Sequence, residues 1–515
     1  MQLRLVRASL LPLLVVATAA MAQPADHCAA LTSLKLPGVE ITSAAMVPAS
    51  AAAAKPNPWE YSGPLPAHCR VDGILSRRAG AGGEEFGIRF ALAMPTDWNG
   101  DYVQQGGGGG NGTVAKPVGP TAAGDKPALL RGFAVASTDT GHKAKTGPFD
   151  FAFMRDQQAM LDFAFEANVR VAETARQIIA AYYPKPAAYS YFLGCSTGGR
   201  EGMILSQRFP TAFNGIVSGD PAMRTGLSNI AIGPWSESAW NRIASKDASG
   251  KASIAQAITD ADRKLVIDAL LARCDAKDGI ADGMIFDPLA CDFSPSQLAC
   301  KPGQTSGCLP QEKVEAIEHV FSGPKTSRGF QVYPGFLYDT GIAANGMMGH
   351  GLLTPGPGPV LAPYSGTEFD VDKAVLTASD PLVEPLSTNL STFSANGGKL
   401  IFFHGNSDPW FSPLDTLQYY QSLAAANGGA DKVAQWSQIY LVPGMGHCGG
   451  GAAALDQFDL LTPLVNWVEK GQVPESVTAT GRAFPGRSRP LCAYPKHAQY
   501  NGQGDPEQAS SFTCR

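Results

Sequence analysis

Apolar and polar positions alternate in part over residues 86–94 (Phe-Gly-Ile-Arg-Phe-Ala-Leu-Ala-Met), which predicts a strand. Between 157 and 183, Met160, Phe163, Phe165, Val169, Val171, Ile178 and Ile179 recur at helical spacing, and Pro184 closes the run. Residues 189–193 predict a short strand and 198–208 a helix that stops before Pro210. Another apolar run, 212–218, ends at Gly219-Asp220-Pro221. Near the C-terminus, 399–403 and 438–442 read as buried strands, with a helical stretch at 414–426 between them. Such alternation predicts an α/β fold with a mostly parallel sheet. The stretch 222–394 breaks the rhythm. It holds four of the ten cysteines, an acidic loop and a Gly/Pro-rich segment at 343–363. It is expected to be a lid domain inserted into a core made of 23–221 and 395–515.

Composition narrows this picture. A chain of 515 residues implies one large domain with an insertion, or two domains. Lys+Arg 40 against Asp+Glu 45 gives a net charge of −5, which argues against nucleic acid as a partner. A hydrophobic content of 44% excludes global disorder. Arg4 and Arg7, the apolar run at 10–20 and Ala20-Met21-Ala22 predict a signal peptide over 1–22. No later segment reaches about 18 apolar residues, so no membrane span is expected after cleavage. The destination is then the periplasm or the medium, where an even set of ten cysteines predicts five disulfides. Sequence alone leaves their connectivity open. Proximity suggests Cys28–Cys69, Cys274–Cys291, Cys300–Cys308 and Cys492–Cys514, which leaves Cys195 with Cys448.

Gly194-Cys195-Ser196-Thr197-Gly198 matches G-x-S-x-G. Its place after a predicted strand and before a predicted helix suits a strained elbow that presents a serine hydroxyl. A serine that merely N-caps its helix is the competing reading. A serine nucleophile needs a base, and the base needs a carboxylate. In chain order, Asp408 follows one buried strand (Phe403-His404-Gly405-Asn406-Ser407-Asp408) and His447 follows the next (Pro443-Gly444-Met445-Gly446-His447). His404 and His142 compete for the role of base; they are read as a structural or pocket residue and a loop anchor. Cys195 precedes the proposed nucleophile and Cys448 follows the proposed base, so a disulfide between them would clamp the two together. The glycine run at 106–110 suits the second half of an oxyanion hole, an N–H of Gly108 or Gly109 beside that of Thr197.

Asp275, Asp278 and Asp282, interleaved with glycines, suit a structural Ca²⁺ loop completed by the carbonyls of Ile280 and Met284, although the spacing is not that of an EF-hand. An acidic solvated turn is the alternative.

Together these residues resemble the tannase/feruloyl esterase family over nearly the whole mature chain. The likeness rests on 194–199, the glycine loop at 106–112, Ala136-Ser-Thr-Asp-Thr-Gly-His142, 275–284, His404-Gly-Asn-Ser-Asp408 and Gly446-His447-Cys448. It implies an α/β-hydrolase core with an inserted lid, Ca²⁺ in the lid and a Cys195–Cys448 bond. It also implies a small aromatic ester as substrate, with a feruloyl, gallate or phthalate-type acid. The terephthalate-monoester branch of the family holds a free carboxylate with a lid arginine. Here no arginine occurs between Arg328 and Arg482, which favours the feruloyl or gallate type. A non-catalytic, Ca²⁺-dependent surface-binding protein is the reading from another class.

Overall fold

Nine strands make one sheet in the order β1-β2-β3-β5-β4-β6-β7-β8-β9 in the computed structural model, which describes residues 24–54, 61–246, 253–345, 351–358 and 360–515. The expected signal peptide, 1–22, lies outside the described residues. Strands β1 (Val39–Val47), β2 (His68–Ala79) and β3 (Glu85–Pro95) form an antiparallel ribbon. From β4 (Tyr102–Gln105) and β5 (Ala134–Thr138) through β6 (Ser190–Cys195), β7 (Gly215–Gly219), β8 (Lys399–Gly405) and β9 (Ser437–Val442), neighbours run parallel. The parallel half is apolar on both faces, as a sheet covered by helices on both sides must be. Phe192, Leu400 and Phe402 pack into one cluster with helix α1 (Ala167–Tyr182) and helix α2 (Thr197–Arg208). Tyr191, Leu193, Ile401 and Phe403, one residue out of phase, pack into the other with Leu464 and Trp467.

The helix expected over 157–183 comes in three pieces. Gln157–Leu161 and α1 are α-helical, and Asp162–Glu166 between them is a π-turn. The buried Arg200 guanidinium donates to the carbonyls of Phe163 and Ala164 in that turn, at 3.0 Å each. It thereby satisfies carbonyls that a widened turn leaves short of partners.

Residues 222–394 lie between β7 and β8 and have an apolar cluster of their own. Trp240, Ile317, Phe321 and Tyr333 pack there against Val266 and Leu270 of helix α3 (Asp260–Cys274). A capping box of Thr259 and Asp262 starts α3. The segment is also tied to the core. Asp339, fully buried, accepts from the Ser407 hydroxyl at 2.8 Å and from the Gly444 N–H at 2.6 Å.

Five disulfides join Cys28–Cys69, Cys195–Cys448, Cys274–Cys291, Cys300–Cys308 and Cys492–Cys514, the pairing that proximity and elimination suggest. Among the described residues no helix is long and apolar enough to cross a membrane.

Helix α2 lies so close to β7 that a Cβ at Gly199 would sit 2.2 Å from the Gly219 carbonyl oxygen. Gly199→Ala is therefore expected to lower stability by about 1–3 kcal/mol. Urea unfolding followed by fluorescence checks this, and an unchanged midpoint would contradict the close approach.

Candidate active site

The parallel strands end in register along one edge. Cys195 pairs with Gly219, Gly219 with Phe403, and Gly405 with Val442. The residues that follow, Ser196, Asp220, Asn406–Asp408 and Pro443–His447, therefore emerge side by side at the carboxyl edge, where α/β sheets bind ligands.

Ser196 takes φ 62° and ψ −123°, a strained conformation for a non-glycine residue. Glycines around it make room: a Cβ at Gly194 would meet the Gly198 oxygen at 2.3 Å, and one at Gly198 the Gly107 oxygen at 2.8 Å. The Ser196 hydroxyl makes no capping bond to its helix, against the N-cap reading of this serine. It lines a compact cavity of about 110 Å³. The other walls are Phe149, Phe151, Met154, Phe163, Trp410 and Phe411 from the core and Ile232, Val360 and Val383 from the insertion.

Asp408 and His447 meet directly, with Asp408 Oδ2 2.8 Å from His447 Nδ1. A carboxylate can only accept here, so Nδ1 carries the hydrogen and Nε2 keeps its lone pair. Nε2 lies 3.8 Å from the Cys448 sulfur, which has no hydrogen to give. Asp408 Oδ1 accepts the N–H groups of Trp410 at 2.8 Å and Phe411 at 3.1 Å. Burial alone would raise the Asp408 pKa, but the charge and hydrogen bonds of His447 and His404 hold it below the usual carboxylate range. Burial would lower His447, yet the Asp408 charge and hydrogen bond lift it above its ordinary value. Trp410, which lines the cavity with Ser196, stacks on the His447 ring with centroids 5.1 Å apart. Ser196 and His447 each neighbour one half of the Cys195–Cys448 bond, whose Cα atoms are 5.9 Å apart.

The glycine loop is held from below. Glu201, buried on α2, accepts from the Gly107 N–H at 3.0 Å and from Asn111 Nδ2 at 2.6 Å. The N–H groups of Gly108, Gly109 and Thr197 donate to no acceptor among the described residues. Gly109 and Thr197 line the cavity, and the Thr197 hydroxyl donates to the Gly109 carbonyl.

His142 is buried and stacks on Phe153 at 3.5 Å behind this loop, away from Asp408. His404 lies under Asp408. Arg328 is exposed and lines no part of the cavity. The cavity's cation is Arg200, which sequence reasoning missed. Three of its five N–H groups donate to the carbonyls of Phe163, Ala164 and Val383. Asp220 was missed as well. Its position just after a buried strand and a glycine was the signal available.

In the acidic loop, Asp275 accepts the N–H groups of Asp282 at 3.1 Å and Gly283 at 2.9 Å. Asp278 Oδ2 is buried without a hydrogen-bond partner, and burial, helped by Asp282 and Asp275, pushes that carboxyl up to about 7. An orphaned buried carboxylate oxygen fits a hard cation. Asp282 fits less simply, because its carboxylate is paired with Arg489. The three carboxylates do not gather as a set within 4.8 Å. Through Arg487 and Arg489 the loop is anchored to the C-terminal segment as well as to the insertion.

The family model for tannase and feruloyl esterase matches residues 69–352 and 364–515. The chain belongs to the tannase and feruloyl esterase family. As a member it is a carboxylic ester hydrolase. It is 35% identical to mono(2-hydroxyethyl) terephthalate hydrolase of Piscinibacter sakaiensis, over 87% of this chain and 85% of the relative. It is 28% identical to feruloyl esterase B of Aspergillus niger, over 82% of each. The family fold is seen in feruloyl esterase B from Aspergillus oryzae, with a TM-score of 0.77 at 24% identity over 96% of this chain and 100% of that one. Tannin acyl hydrolase from Aspergillus niger gives 0.71 at 21% identity, covering 95% and 94%.

Breaking the staple at this site is expected to be costly. Cys195→Ala/Cys448→Ala removes a crosslink worth up to roughly 5 kcal/mol in the chain-entropy model. The double variant is expected to unfold at lower temperature and to lose at least about tenfold in kcat, since loosening a reacting pair carries such penalties. Calorimetry and steady-state kinetics check both.

Proposed function

We propose that this esterase hydrolyses esters of aromatic carboxylic acids, of the feruloyl or gallate type, through an acyl-enzyme. The carrying observation is an apolar, aromatic-walled cavity with Ser196 on its wall, together with a disulfide that joins the residue before Ser196 to the residue after His447, an imidazole hydrogen-bonded to a buried carboxylate. Ser196 Oγ attacks the ester carbonyl and His447 Nε2 takes its proton. Asp408 holds the tautomer and favours the imidazolium that forms. The N–H of Thr197 and that of Gly108 or Gly109 stabilise the oxyanion. His447 then protonates the leaving alcohol, and water releases the acid by the same steps in reverse. The insertion acts as a lid that supplies half of the acyl pocket.

A phthalate-monoester substrate is the second reading, favoured by the relative at 35% identity. Against it, the cavity's one cation among the described residues already gives three hydrogen bonds to main-chain carbonyls. Ser196→Ala is expected to abolish turnover of methyl ferulate and methyl gallate while leaving the fold intact. Retained activity refutes the assignment. In the native enzyme, methyl ferulate, methyl gallate and mono(2-hydroxyethyl) terephthalate compared by kcat/KM separate the two readings.

Asp275, Asp278 and Asp282 with the carbonyls of Ile280 and Met284 would hold Ca²⁺, which supplies charge neutralisation and rigidity away from the chemistry. Chelation is expected to lower the melting temperature, with recovery on adding Ca²⁺. An unmoved melting temperature would mean that the loop is a solvated turn. Five disulfides and the N-terminal pattern support export to an oxidising compartment.

A further inference from the structure

Beneath Asp408 and His447 lies a second acid and a second imidazole that the mechanism above does not use. Asp220 follows β7, the strand between those that lead to Ser196 and to Asp408. It is fully buried and held at φ 36°, a conformation costly for a non-glycine residue. Its Oδ1 accepts the Gly405 N–H at 2.9 Å. Its Oδ2 lies 3.4 Å from the Cys195 sulfur, which in a disulfide has no hydrogen to donate.

His404 is fully buried too. Its Nε2 lies 3.0 Å from the Phe411 carbonyl, 3.3 Å from Asp408 Oδ2 and 3.6 Å from Asp220 Oδ1. All three neighbours are acceptors, so Nε2 carries a hydrogen. Nδ1 lies 2.9 Å from the Thr416 hydroxyl, which can accept a second one. One oxygen of Asp220, one of Asp408 and a ring nitrogen of His447 all fall within 4.8 Å of one another.

We propose that Asp220 and His404 are positioning residues that set the basicity of His447, with His404 held as an imidazolium between the two carboxylates. This rests on the Ser196–His447–Asp408 reading. Two carboxylates a few ångströms apart in a dry interior repel strongly unless a cation stands between them. His404 is that cation. Burial would lower its pKa, but Asp220 and Asp408 raise it. Burial and the Asp408 charge push the Asp220 carboxyl up, and the positive charge of His404 pulls it back down.

The other charged or titratable groups packed here are Asp415, paired with Arg224, and Tyr333, whose hydroxyl accepts the Ser412 N–H. The two members of the proposed pair act on His447 in opposite directions, Asp220 raising its pKa and His404 lowering it.

The test is the acid limb of kcat/KM against pH, measured with a neutral ester such as methyl ferulate. Without the Asp220 charge, the His447 imidazolium is less stabilised and gives up its proton at lower pH. Asp220→Asn should therefore move the limb down, by about half a pH unit or more. His404→Gln keeps a donor toward Phe411 but removes the cation, so the limb should move up. KM should stay within about twofold in both, because neither residue lines the cavity. A limb that stays put in a folded Asp220→Asn enzyme overturns the proposal.

A native-enzyme measurement stands beside the variants in case either fails to fold. Nitrogen-15 histidine NMR should show both ring nitrogens of His404 protonated where His447 is neutral. A neutral His404 across that range overturns the proposal. If Ser196→Ala stays active, the underlying mechanism fails. If Ser196→Ala is dead and the limbs do not move, only the present inference fails.

Discussion

Cys195 and Cys448 are 253 residues apart, and the bond between them ties the loop after β6 to the loop after β9. Much at this edge of the sheet depends on that bond. Ser196 can hold its strained dihedrals because the residue before it is clamped on one side and α2 starts on the other. His447 can hold its ring against Asp408 because the residue after it, at φ 61°, is clamped as well. A hydrogen bond between a serine hydroxyl and an imidazole is weak and easily lost to water. A covalent link one residue away from each keeps the two loops neighbours when the cavity opens or fills.

That proximity brings a problem of charge. Four buried titratable groups, Asp220, Asp408, His404 and His447, crowd behind the disulfide, and none of them faces bulk water. Main-chain N–H groups meet part of the demand: Gly405 serves Asp220, and Trp410 with Phe411 serve Asp408. Imidazoles meet the rest. Such an arrangement is stable only when every partner is present, so it couples the protonation of the proposed base to groups that never touch substrate.

The inserted region contributes walls to the cavity. It has its own apolar cluster, yet Ile232, Val360 and Val383 form part of the cavity wall. Through Asp339 it grips Ser407 and Gly444, on the loops that carry Asp408 and His447. The cavity wall and the loops that carry Asp408 and His447 are thus held by one framework. A substitution at this seam would disturb recognition and catalysis together.

Local pattern made the parallel half of the sheet legible: short runs such as Tyr191-Phe192-Leu193 and Leu400-Ile401-Phe402-Phe403 are apolar throughout because helices cover both faces. Of the antiparallel ribbon only β3 was legible, in the partial alternation over 86–94. In β2 the charges of Arg70, Asp72, Arg77 and Arg78 interrupt the pattern, and they are satisfied by partners along and across the strands, Arg70 by Asp72 and Arg77 by Glu40 and Glu85. The π-turn at 162–166 was hidden as well, since the arginine that caps it comes from another helix. By itself the sequence determined β6, β8 and β9 with the helices between them, the elbow around Ser196 and the order serine, acid, histidine, because these depend on neighbours in the chain. Only the tertiary structure decided that Asp220 and His404 join Asp408 behind His447, and that Arg200 gives three hydrogen bonds to carbonyls. Those facts depend on which strand ends lie side by side, and on how much water is excluded between them.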